Sequence, residues 1–217
     1  MLASVTEYGA AQTPTRYVAF LDILGWKAQV MGDFDFALET YQTLLDYWRV
    51  GTNEMAGLES VRIVSDSILI VSSEVWPLLR AVNVLNQATL MNDCLLRGGV
   101  AFGRHVEAGT SPESHVVSEA LVIAATHEGT VHDPCVVIDG SALPQLDWAE
   151  YQKVDVFLRP MLFFDGRWIV NPFSIMWGVS AATRVRQLRE AHPEHSPKYD
   201  WFLRLYEAVW NRESLVP

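Results

Sequence analysis

YVAFLDILGW, residues 17–26, is apolar enough to be a buried strand, yet it carries a carboxylate, Asp22, in its middle. A second run, VRIVSDSILIV at 61–71, sets Asp66 between two β-branched stretches, a pattern that predicts a hairpin with Asp66 at or near its turn. Taken singly, Asp66 reads as an ordinary turn residue and Asp22 as an edge-strand residue or a helix cap. Together they ask for more. Adjacent strands of a small sheet would bring both carboxylates to one edge, where two buried negative charges repel unless cations bind between them. On this reading, removing either one relieves repulsion and opens no core cavity. Two hard oxygen ligands with open coordination positions suit Mg²⁺ or Mn²⁺ shared with a substrate polyphosphate.

The chain's composition bounds what else it could do. With 217 residues, half of them hydrophobic, it is long enough for one large domain. We expect a tail over 1–15 and a single domain over 16–217, with its core in about 16–140 and a C-terminal extension over 141–217. A formal net charge of −10 argues against nucleic acid or an anionic membrane as partner. Cys94 and Cys135 form no CxxC pair, which fits a reducing compartment. The opening MLASVTEYGAAQTPT lacks a basic region followed by an apolar one, and no stretch approaches a membrane span, so the chain reads as cytoplasmic. Eight Trp is a high count, and some of that aromatic surface could lie at an interface.

Beyond the first strand, FDFALETYQTLLDYWRV repeats Phe36, Leu38, Tyr41, Leu44, Leu45 and Trp48 at helical spacing, with Gly51 and Asn53 as stop signals. A helix is predicted over about 77–93. LLRGGVAFGRHVEAG reads as a strand and tight reversal, VVSEALVIAATHEG as a helix ended by Gly129, CVVID as a strand, and RPMLFFDGRWIVNPF as a hairpin turning at Asp165 and Gly166, with two helices beyond. This order predicts an α+β fold, ferredoxin-like or palm-like, in which helices pack on one face of an antiparallel sheet. Gly98 and Gly103 have the spacing of a phosphate loop, but the Lys and Ser/Thr are missing and no helix follows, so these glycines more plausibly allow close backbone approach. His127 and His132 are misplaced for a helical metal pair.

FLDILGW resembles the first metal-binding strand of class III nucleotidyl cyclases, and RIVSDSILIV their second-aspartate hairpin. LLRGGVAFG and VVSEALVIAATHEG are similar to the strand and helix that follow, so the resemblance covers roughly residues 16–140. Short chains with FLDILG, SDS, RGG and EAL in this order look like the pyrimidine cyclases of Pycsar antiphage systems. The resemblance implies that Asp22 and Asp66 bind two Mn²⁺ or Mg²⁺ ions with the carbonyl of Ile23, and that the backbone of Ile23, Leu24, Gly25 and Trp26 holds phosphates. It implies a homodimer with sites between subunits, and a separate effector that reads the cyclic product. Where adenylate cyclases carry an Asn and an Arg for the transition state, this chain has Val122 and Thr126. Arg97 and Arg104 are therefore nominated as the compensating cations, Arg97 with a catalytic role. Arg62 and His115 fall where those cyclases read adenine with Lys and Asp. Arg only donates and His can donate, so the pair implies a base edge of carbonyl oxygens, and hence UTP ahead of CTP and ATP. The alternatives are a cytidylate or purine cyclase, or a catalytically inactive nucleotide-binding domain.

Overall fold

The computed structural model describes residues 13–52, 55–108, 115–174, 177–213 and 215–216. The chain begins with strand β1 (Thr15–Leu24), a short helix α1 (Trp26–Gly32) and a long helix α2 (Phe34–Thr52). The hairpin β2 (Leu58–Val64) and β3 (Ser67–Ser72), helix α3 (Val75–Met91) and strands β4 (Leu95–Ala108) and β5 (His115–Ser118) follow. Helix α4 (Glu119–Thr130), strand β6 (Val136–Ile138), a one-turn-and-a-half helix α5 (Trp148–Lys153), the hairpin β7 (Met161–Phe164) and β8 (Arg167–Val170), and helices α6 (Gly178–Ala191) and α7 (Ser196–Trp210) complete the chain. No helix among the described residues is long and apolar enough to cross a membrane.

The eight strands among the described residues form a sheet ordered β2-β3-β1-β4-β6-β8-β7, with β5 paired to β4 off this path. β1 lies at the centre of the predicted core, antiparallel to both β3 and β4. The β4–β6 pairing is parallel, and β6 to β8 carries the same sheet into the C-terminal part. At the outer edge, Phe163 of β7 donates its amide to the carbonyl of Leu215 at 2.8 Å, so the segment after α7 returns along that strand. The predicted turn at Asp165 and Gly166 is present. Both residues have positive φ, 53° and 77°, as a two-residue turn matched to strand twist requires.

The alternation of β1 assigns its two faces. Ala19, Leu21 and Ile23 join α2 and α3 in the main core, whereas Val18 packs with Val71, Ala101 and residues Ala120 and Ala124 of α4. The helices thus do not share one face, as the element order had predicted: α4 lies on the other. The glycines of β4 are the reason, because an added Cβ on Gly99 would stand 2.4 Å from the carbonyl oxygen of Ala124. Only a strand without that side chain admits a helix so close.

Other local expectations need adjusting. The strand through these glycines runs unbroken to Ala108, and Val116–Ser118, predicted as the start of a helix, belong to the extended β5. α2 ends at Thr52 and α4 at Thr130, each one residue past the predicted stop glycine, Gly51 and Gly129, and Asn53 is outside the described residues. On α2, Leu44 and Trp48 are buried as expected, but Phe36 and Leu38 are about half exposed, and Ala37 and Thr40 face the core in their place. Most of the aromatic surface is internal: Trp26, Trp48, Trp168 and Trp201 are buried, while Trp76 and Trp210 are exposed. Burial pushes the thiols of Cys94 and Cys135 up to about 11 and about 12, so both are protonated and inert near neutral pH.

Candidate active site

Asp22 stands near the end of β1, where its register partners are Ser67 on β3 and Arg97 on β4. The amide of the next residue, Ile23, donates to the carbonyl of Asp66 at 2.9 Å. That bond fastens the hairpin tip to the end of β1 and places both aspartates at the same end of neighbouring strands. The tip is a two-residue turn, Ser65 and Asp66, with Ser65 at φ 57°. A left-handed conformation costs a residue with a Cβ roughly 1 kcal/mol, which the surrounding ladder must offset. Asp66 is half-buried, and the side chain of Asp22 is 18% exposed.

Arg97 faces Asp22 across the β1–β4 ladder, and its Nε donates to Asp22 Oδ2 at 3.0 Å. A terminal guanidinium nitrogen reaches Glu128 Oε1 on α4 at 2.7 Å. Glu128 escaped the sequence reading because its place depends on α4 packing against the Asp22 face. The signal that could have found it is the question of what balances an arginine on so apolar a strand. Asp22 is therefore not the uncompensated charge that the sequence suggests, because Arg97 already offsets it.

Among the described residues no three His, Cys, Asp or Glu side chains gather as a metal cage. Two carboxylates and the Ile23 carbonyl still suit a hard divalent ion that takes its other ligands from phosphate and water. The phosphate-holding backbone is partly committed: the Ile23 amide is engaged by Asp66, while Gly25, at φ 88°, and Trp26 open the first turn of α1, where amides have no preceding intrahelical acceptor. The Trp26 side chain is buried, so only its backbone can serve a ligand.

The remaining candidates lie elsewhere. Arg104 pairs with Thr15 at the far end of β1, roughly 23 Å from Arg97 at ~3.3 Å per residue, and its guanidinium binds Glu119. Past that point β4 leaves β1 and, with β5, forms an arm that reaches β2. There Glu107 accepts from Ser60 at 3.0 Å and from Arg62 at 2.5 Å. His115 opens β5 beside this cluster, paired with Ala108, and is exposed. Val122 is exposed and Thr126 turns its hydroxyl back onto the Val122 carbonyl at 2.8 Å, so neither supplies a charge.

No protein-family model matches the chain, and no curated protein matches it. Solved structures do. An adenylate cyclase from Trypanosoma brucei, in its monomeric state, superposes with a TM-score of 0.55 at 13% identity, over 74% of this chain and 89% of that one. The monomeric guanylyl cyclase domain of the RhoGC fusion protein from the aquatic fungus Blastocladiella emersonii gives 0.51 at 16% identity, over 72% and 94%. A class III adenylyl cyclase-like ATP-binding protein from Pseudomonas aeruginosa gives 0.51 at 14%, over 77% of this chain and 40% of that one. Similarity at these identities speaks to architecture, and the chain has the fold of class III nucleotidyl cyclase catalytic domains.

Proposed function

We propose that this protein is a nucleotidyl cyclase that converts UTP to 3′,5′-cyclic UMP and pyrophosphate. The observation that carries the reading is the 2.9 Å bond from the Ile23 amide to the Asp66 carbonyl, which brings Asp22 and Asp66 to the same end of neighbouring strands. In the reaction the ribose 3′-hydroxyl gives up its proton to water as its oxygen bonds to the α-phosphorus, the bond from that phosphorus to the bridging oxygen breaks, and pyrophosphate leaves. Asp22, Asp66 and the Ile23 carbonyl would hold Mn²⁺ or Mg²⁺, which when bound stabilises the attacking and leaving oxygens. The chain's own groups orient the triphosphate: the amides at the start of α1 and the guanidinium of Arg97 meet anionic oxygens.

Arg62 lies two strands and two residues from Asp22 and is held by Glu107, and His115 opens β5; on this reading a second copy contributes them to the nucleotide that Asp22 holds. A head-to-tail homodimer does this, and exposed Val64, Val117 and Val122 supply apolar surface for it. The order of the FLDILG, SDS, RGG and EAL segments supports a messenger-producing role in antiphage defence, with a separate effector reading the product.

Incubating the protein with each nucleoside triphosphate and Mn²⁺ tests this, by pyrophosphate release and identification of the cyclic product. Release from UTP is expected. The absence of release from all four would favour a nucleotide-binding domain without turnover, a reading supported by the uncharged Val122 and Thr126. Glu107 favours one further alternative. It places an acceptor beside the Arg62 donors, and cytosine could satisfy the two with its amino group and N3, so CTP is the competitor to measure. Arg62→Ala is expected to flatten the preference among nucleotides by roughly tenfold, equivalent to ~1.4 kcal/mol, more than it slows the best substrate. Unchanged selectivity would place base reading elsewhere.

A further inference from the structure

Arg97 bridges two carboxylates with two different donors: Nε on Asp22 and a terminal nitrogen on Glu128. We propose that Asp22, Arg97 and Glu128 form an exchange clamp, in which Arg97 acts as the internal counter-ion of Asp22 until a divalent cation displaces it, and Glu128 is the residue that positions the displaced guanidinium. The proposal rests on the cyclase reading of the site and deepens it by naming how the site is held before substrate arrives.

The geometry supplies the reasons. Asp22 and Arg97 are direct register partners on adjacent strands, so their backbones cannot drift apart, and the guanidinium is the part free to turn. A cation on Asp22 takes its oxygen lone pairs and repels the neighbouring guanidinium, which removes the reason for the Nε contact. With Asp22 alone as partner, the released arginine would be left as an unpaired, three-quarters-buried charge. Glu128 prevents that: it keeps hold of the far end while Nε becomes available to an anionic oxygen of the substrate. Its own position is set by α4, which the glycines of β4 allow to lie against the sheet. The same two contacts therefore give Asp22 a counter-ion while the site is empty and aim the arginine once the site fills.

The test is Mn²⁺ binding to the full chain without nucleotide, followed by the electron paramagnetic resonance of free Mn²⁺. Arg97→Ala is expected to tighten binding about tenfold, because the competitor is gone. Glu128→Gln is expected to weaken it severalfold, because the whole guanidinium then falls to Asp22. The deciding measurement is the double variant, in which Glu128→Gln should lose most of its effect, since it acts through Arg97. Additive effects would mean that both residues act only as point charges near the ion, which overturns the clamp and leaves the metal-site reading standing. Binding by neither the unaltered protein nor Arg97→Ala would remove the metal-site reading and the clamp with it. A second readout guards against misfolding: Glu128→Gln that melts normally should lower kcat more than it raises KM, whereas equal Mn²⁺ affinity in all four proteins would also overturn the proposal.

Discussion

Asp22→Ala and Asp66→Ala are each expected to lower pyrophosphate release by on the order of 10³-fold or more, because each removes one of two carboxylates assigned to the cation and forfeits several kcal/mol of charge stabilisation. Their stabilities should differ in an informative way. Asp22→Ala takes from Arg97 one of its two carboxylate partners and should cost about 1 kcal/mol, a fall in Tm of roughly 2–4 °C for a chain of this size. Asp66 is ion-paired to no cation among the described residues, so its replacement should stay within about 0.5 kcal/mol. Turnover assays and thermal melts on the same preparations check both halves. Normal turnover in either variant would remove the paired-carboxylate reading, and gross unfolding would give that carboxylate a structural role.

Gly99→Ala should be among the most damaging single methyl groups that can be added to this protein. Its Cβ would lie 2.4 Å from the Ala124 carbonyl oxygen and 2.7 Å from the His127 Cβ, and neither a strand at the centre of the sheet nor a helix backbone can yield by that much cheaply. Displacing α4 should cost about 3 kcal/mol or more, lowering Tm by roughly 6–12 °C. Activity should fall at temperatures where the variant remains folded, since Glu128 rides on the displaced helix. Gly129→Ala is the control, with nothing within 4 Å of its added Cβ, and should be neutral or stabilising by up to ~1 kcal/mol. If Gly99→Ala melts like the unaltered protein, α4 does not pack as closely as described.

The contrast between these two sites also explains what could be read from the sequence. Elements set by neighbouring residues were legible: β1 from its unbroken apolar run, the β2–β3 turn from SDS, the β7–β8 turn from Asp165 and Gly166. So was the placement of Asp22 and Asp66 at the same end of neighbouring strands, which needs only that two predicted strands be adjacent. Features set by distant packing were not. The exposed Phe36 and Leu38 fit a helical period as well as the buried Leu44 does, and only the position of α3 decides between faces. Glu128 and Glu107 look like ordinary solvated acids until α4 and the β4–β5 arm are placed, and each then turns out to hold an arginine that sequence alone had assigned directly to substrate.

The return of the chain past β7 matters for handling the protein. A terminal strand with unpaired amides is a template on which another molecule can add a strand, and β7, rich in Met, Leu and Phe, would be an adhesive one. Leu215 occupies the Phe163 amide and, with Val216, is itself buried, so these residues act as a built-in guard against strand-by-strand polymerisation. Trimming the chain before Leu215, or attaching a bulky fusion there, should turn a well-behaved preparation into one that aggregates on concentration, even though both lie far from the aspartates.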